Sequence, residues 1–538
     1  MIIYIFLLIL ILFFIAYFGY NGFLSKKIFE LNNKNPTPAH TLKDNIDYVP
    51  THPLVLFGHH FSSIAGAGPI IGPIITGLAF GWLPALLWII IGSIFIGGVH
   101  DFSSLVASIR HKGRSIAEIA KEYMSKRVYK LFLIFIWLSL IYVLIVFIDL
   151  TANTFKMDGG VATSSILYIF LAIIFGISLY KLRLPLAWLT LLFVCLVFVS
   201  IWIGQIFPLT NIPVLFGDIS KTWSIFLIIY CFLASILPVW FLLQPRDYLS
   251  SYLLYVSVFA GVIGIIFGGF GISYPGFISF YAGKEMGSLF PMLFVTIACG
   301  AVSGFHSLIA SGTTSKQLYK ETDAKIVGYG AMLVEGIVAV IALTTLMMIV
   351  KNDEIATKPP LVIYATGIGK FVEILGIPSK LGFSFGLLAL STFILTTLDT
   401  ATRVGRYIFQ EFFSLTKSSS RYFATFITLI LPTIFVLINL KDAQGNIIPA
   451  WKIIWPVFGT SNQLLASLVL LTIAVWLKKI NKRNLFIIIP AGFMMIITLW
   501  ALVVLIMQYG FNVVGIIAFV LFILALILIK ETFSIIFS

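Results

Sequence analysis

Hydrophobic positions run along this chain in long, nearly uncharged blocks separated by short polar clusters. Windows of about 20 apolar residues, the length that crosses a bilayer core as a helix, predict where those blocks span. Fifteen spans result, near 3–21, 57–79, 83–107, 130–151, 163–180, 184–206, 222–243, 252–273, 288–311, 326–350, 382–404, 421–440, 453–477, 485–507 and 511–530. The pattern is that of an all-α polytopic membrane protein. The first block, IIYIFLLILILFFIAYFGY, has no basic leader and no small-residue cleavage site, so it reads as a retained helix.

Composition agrees: 60% of the residues are hydrophobic, 10% are charged and the mean hydropathy is +1.07. The net charge of +14 belongs to topology rather than to nucleic acid. Alternating the loops between two sides puts 26 of the 35 Lys and Arg residues on one side, including Lys26, Lys27, RHKGRSIAEIAKEYMSKRVYK and KKINKR, and nine on the other. The rich side is expected to be cytoplasmic, with the N-terminus outside and the C-terminus inside. Cys195, Cys231 and Cys299 lie in apolar runs and suggest neither disulfides nor a thiolate metal site. Ser115 to Glu118 fits a capping box and predicts a short cytoplasmic helix at the membrane surface. The long stretch 351–381, with ATGIGKFVEILGIP, reads either as a re-entrant or capping element over an outer vestibule or as an amphipathic loop.

The second span is spoiled by LFGHHFSSIAGAGPIIGP. A break in a membrane helix frees backbone groups that hydrocarbon tolerates poorly, so it survives only where protein or a watery cavity satisfies them. Gly66-Ala67-Gly68-Pro69 is therefore a packing seam or an unwound ligand site. Five spans on, Ser235-Ile-Leu-Pro238 falls in mid-span and reads as a matching break. Because five is odd, the two would run in opposite directions. That is a LeuT-like plan of inverted five-helix repeats with two broken helices and extra flanking helices. Its domains would be 1–50 (N-terminal helix and loop), repeat one at about 57–206 within 51–250, repeat two at 222–410, and further helices over 411–538.

Polar groups inside spans are costly and become functional candidates. Glu335 lies about nine residues, or ~13 Å, into its span, and suits either a proton carrier or a structural hydrogen bond. Asp399 can pair with Arg403 at i,i+4 or act as a gate; His100-Asp101 reads as a topology anchor. His59 and His60 point about 100° apart, so they form no metal pair by themselves; with His306, where the fold brings the three close, they suit proton relay or substrate contact ahead of a metal site, and simple interfacial placement is the rival reading. Ser303, Ser307, Ser311, Thr313 and Thr314 surround His306 and serve packing or a cation or substrate site. Thr460, Ser461, Asn462 and Gln463 must find partners, in a role left open. No Walker A loop, HExxH box, GxSxG elbow or paired CxxC is present, so neither an enzyme nor an ATP-driven pump is indicated.

FGHHFSSIAGAGPIIGP, VHDFSSLVASIRHKGRS, LPVWFLLQPRDYL, GFHSLIASGTTSKQ, TTLDTATRVGRYIFQE and FGTSNQLLA together resemble the carbon starvation protein A (CstA) family. The resemblance implies an inner-membrane transporter of a bacterium or archaeon, taking up peptides or pyruvate, with protons, under starvation. Substrate contacts are then expected at His59, His60, Ser62, Gly66, Ala67, Gly68, Ser235, Ser303 and His306. Coupling is expected at Glu335, Ser307, Thr314 and Asp399, and gating or structural roles at Asp101, Arg246, Asp247 and Arg403. No cofactor or metal is expected; the partners are a small substrate, a coupling cation and the lipid. The rival readings are a membrane metal or redox enzyme using the histidines, and a passive channel or nutrient sensor.

Overall fold

The computed structural model describes residues 1–44, 47–123, 125–238, 240–415, 417, 419–440 and 447–537. Fourteen helices among them are long and apolar enough to cross a membrane, and one pair bent by 45° makes a fifteenth span. In chain order they are α1 (Ile2–Ile28), the bent pair α2a (Pro53–Ile64) and α2b (Gly68–Phe80), α3 (Trp82–Arg110), α4 (Lys126–Met157) and α5 (Gly159–Tyr180). Then come α6 (Leu186–Ile206), α7 (Ile219–Ile236), α8 (Leu243–Phe267), α9 (Leu289–Lys316) and α10 (Glu321–Met347). The last are α11 (Ser379–Phe412), α12 (Ser420–Leu437), α13 (Ala450–Lys479), α14 (Leu485–Tyr509) and α15 (Val513–Glu531). Each matches one expected span.

The second interruption is not where the sequence placed it. Helix α7 ends at Ile236, with Leu237 extended (ψ 153°) ahead of Pro238. Proline disfavours helical backbone in the residue before it, so the helix stops there. Two cations complete the end: the Arg403 guanidinium donates to the carbonyls of Ala234 (2.7 Å) and Leu237 (2.8 Å), and Arg406 donates to that of Ser235 (2.7 Å). They satisfy C-terminal carbonyls and complement the negative helix end. Ser235 thus belongs to a capped terminus, where its hydroxyl meets that of Thr425 at 3.1 Å. The real second break lies in α9: α9a (Leu289–Ile297) and α9b (Gly304–Gly312) are separated by a short 3-10 turn, Ala298–Gly300, and three further residues.

Packing repeats itself around these two breaks. Helix α8 packs on α2a and on the long helix α11; α13 packs on α9b and on the long helix α4. Helix α2b packs on α10 as α9b packs on α3, and α4 crosses α11 at the centre. Short helices complete the correspondence. Ile116–Tyr123 packs on α13, and Pro360–Glu373 packs on α8. The former buries Ile116, Ala117, Ile119 and Ala120 against protein, and Ser115 Oγ accepts the Glu118 N–H at 3.2 Å. The latter is a largely buried helix that packs chiefly on α11. The hairpin α5–α6 leans on α8 and α11, and α14–α15 flank α13.

Candidate functional site

The two breaks touch. A Cβ built on Gly68 would stand 2.5 Å from Cys299 Cβ, and one on Gly300 would stand 3.2 Å from the Pro69 Cα. Only glycine lets the backbones approach this closely. A Cβ on Gly66 would meet Phe147 of α4 at 2.9 Å and Thr397 of α11 at 3.0 Å. Hence the junction is walled by both broken spans and both long central helices. Its freed backbone is met by α13. Asn462 Oδ1 accepts the Phe305 N–H at 2.9 Å and the Ser303 hydroxyl at 3.3 Å. Gln463 Nε2 donates to the carbonyls of Phe294 (3.1 Å) and Val302 (3.2 Å). The polar cluster in FGTSNQLLA is therefore the satisfier of the second break.

Toward the basic loops, α3, α9b and α10 assemble a chain of four fully buried titratable groups. Asp101 joins two histidines: Oδ1 lies 2.8 Å from His100 Nδ1, and Oδ2 lies 2.8 Å from His306 Nδ1. The other ring nitrogen of His306 lies 3.4 Å from Glu335 Oε2. Neither Glu335 oxygen has a hydrogen-bond partner among the described residues. His100 and Asp101, read from the sequence as a topology anchor, thus form one end of a buried chain of imidazole and carboxylate groups. His60 stands near it, with Nδ1 2.8 Å from the Thr314 hydroxyl.

A second buried cluster lies on the other side of α2a. The Arg246 guanidinium donates to Asp399 Oδ2 and to the Tyr230 hydroxyl, and lies 3.4 Å from Asp247 Oδ1. Tyr230 donates to the same Asp399 oxygen at 2.8 Å. His59 Nδ1 reaches Asp247 Oδ2 at 3.5 Å. The expected Asp399–Arg403 pair is replaced, because the rotation of α11 turns Asp399 toward α8 while Arg403 caps α7. Adjacent His59 and His60 accordingly address separate clusters, joined by one short half-helix.

The remaining candidates sort by position. Gly66, Ala67 and Gly68 form the first break, and Ser303 sits at the second. The Ser62 hydroxyl donates to the His59 carbonyl at 3.1 Å and that of Ser307 to the Gly304 carbonyl at 2.7 Å, which are local helix bonds. Sequence reasoning gave Cys299 no role and passed over Tyr230 and Asp149; an aspartate inside the apolar run LIVFIDL was the available signal for the last.

The family model described as Carbon starvation protein CstA matches residues 1–362 and 348–501. The chain belongs to the CstA family. Peptide transporter CstA of Bacillus subtilis is 34% identical over 528 residues, spanning 88% of this chain and 85% of that one. Pyruvate/proton symporter BtsT of Escherichia coli is 32% identical, spanning 91% and 79%. Peptide transporter CstA of Helicobacter pylori (strain ATCC 700392 / 26695) is 33% identical, spanning 87% and 76%. The chain is a CstA-type multi-pass transporter and not an enzyme. A solved manganese transporter from Eremococcus coleocola superposes with a TM-score of 0.52 at 15% identity, covering 92% of this chain and 98% of the other. That likeness is one of fold, the LeuT-like fold, and says nothing about cargo.

Proposed function

We propose that this CstA-type transporter imports short peptides or a small carboxylate such as pyruvate, driven by protons, across the cytoplasmic membrane. The N-terminus lies outside and the C-terminus inside, as the lysine and arginine bias favours. The observation that carries the reading is the contact of the two breaks at Gly68 and Cys299. Substrate occupies that junction, where the N-terminal ends of α2b and α9b converge and offer positive dipole ends to a carboxylate. Peptides and pyruvate, the cargoes named for the relatives, share that group.

Glu335 carries the coupling proton. His306, held by Asp101, stands at its carboxylate and passes the proton toward the basic side through Asp101 and His100. The Arg246–Asp399–Tyr230 cluster closes the exit on that side, with His59 and Asp247 at its edge. The two halves are then α2–α4 with α7–α8, and α9–α13, with the hairpin α5–α6 inserted in the first.

Uptake of labelled pyruvate and of a labelled dipeptide into proteoliposomes, with and without an inward proton gradient, tests this. Gradient-stimulated uptake of one of them is expected. Uptake of either without any response to the gradient refutes the coupling, and uptake of neither by folded protein refutes the substrate class.

A further inference from the structure

Asp149 has no part in the relay, the junction or the arginine cluster. It lies in α4 at 6% exposure. Its Oδ2 accepts the backbone N–H of Trp451 at 2.8 Å, and its Oδ1 accepts from Asn153 Nδ2 at 3.2 Å. Trp451 is the second residue of α13, so a buried carboxylate closes the N-terminal end of a 30-residue helix. A negative charge there complements the helix's unpaired N–H groups.

The repeated packing gives this contact a counterpart. Helices α4 and α11 correspond, as do α13 and α8. Asp399 of α11 holds α8 through Arg246, the fourth residue of that helix, as Asp149 of α4 holds α13 through its second. The two contacts lie at opposite ends of the bundle: Arg246 and Asp399 toward the basic loops, Asp149 and Trp451 toward the other side. Each held helix also packs against one half of a broken span, α8 on α2a and α13 on α9b. Movement of either helix end therefore bears on the junction from its own side.

We propose that Asp149 is a gating residue of the transporter, its contact with the N-terminus of α13 closing the path on the side opposite the basic loops. The proposal rests on the transporter reading but not on the identity of the cargo. The two closures differ in kind. Arg246 is bound by two carboxylates and a phenol, whereas Asp149 is bound by backbone and amide N–H groups.

Two spin-label pairs in the full chain, carrying Cys195→Ser and reconstituted in liposomes, test the proposal by double electron–electron resonance. Met157→Cys with Lys452→Cys reports the Asp149 closure, and Gln244→Cys with Tyr407→Cys reports the Arg246 closure. Asp149→Ala is expected to raise the long-distance population of the first pair about threefold or more, leaving the second pair unchanged. Arg246→Ala is expected to do the reverse. Asp149→Asn keeps an oxygen for the Trp451 N–H and removes only the charge, so it serves where the alanine variant folds poorly. A shift of the first pair in either variant supports the closure. Wild-type distances for that pair in both, while Arg246→Ala moves the second pair, would make Asp149 a helix cap and overturn the proposal. A wrong cargo would appear instead as absent uptake with these shifts intact.

Discussion

The imidazole of His306 joins Glu335 to Asp101, with Nε2 3.4 Å from the Glu335 carboxylate and Nδ1 2.8 Å from that of Asp101. An imidazole with one nitrogen on each carboxylate can take a proton at one face and release it at the other. The chain of groups passes within one turn of the second break, since His306 is the third residue of α9b. In the function proposed above, proton position and substrate site are coupled through one half-helix.

Replacing Gly68 tests the junction. In Gly68→Ala the new methyl collides with Cys299, and overpacking of this kind costs about 1–3 kcal/mol. We expect lower thermal stability in detergent and loss of substrate binding. Adding Cys299→Gly removes the clashing Cβ and should restore binding in large part. A Gly68→Ala protein with wild-type affinity would show that the close approach is not needed.

Arg246 stands between two buried carboxylates, so Arg246→Ala leaves Asp399 and Asp247 uncompensated. Breaking a buried pair by removing one partner costs about 3–5 kcal/mol. The double variant Arg246→Met with Asp399→Leu is expected to be more stable than Arg246→Ala alone, because it leaves fewer charges unpaired. Thermal unfolding of the three proteins checks the order. Equal destabilisation by both would argue against a paired cluster.

Asn462→Leu withdraws the acceptor for the Phe305 N–H and both Asn462 contacts of the Ser303 hydroxyl, leaving it Cys299 Sγ at 3.5 Å. An unsatisfied buried donor costs about 1–3 kcal/mol. Stability should fall by that amount, and transport should fall further than stability, because the second break loses its fixed shape. Unchanged transport in a folded Asn462→Leu protein would separate the polar cluster from the site.

The spans were legible because membrane thickness sets one length scale, and every block of sufficient apolar length became a helix. The first break was legible for a similar reason: Gly66, Gly68 and Pro69 fall together in mid-span. The second break was not, because CGAVSG contains no proline and its small residues read equally well as a packing seam. Pro238 misled in the opposite direction, since a proline at a helix end and one within a span look alike until Arg403 and Arg406 are seen capping the carbonyls. Helix rotation was likewise hidden. Spacing offered Arg403 to Asp399, whereas a residue 153 positions away takes that place. Asp149 needed no structure to be noticed; the cost of a charge in an apolar run applied to it as it did to Glu335.

Glu335→Gln tests the central claim most directly. The substitution preserves shape and removes the proton site. In proteoliposomes it is expected to support exchange of whichever substrate the wild type accumulates, while gradient-driven accumulation is lost. Accumulation at the wild-type level under an inward proton gradient would contradict the account.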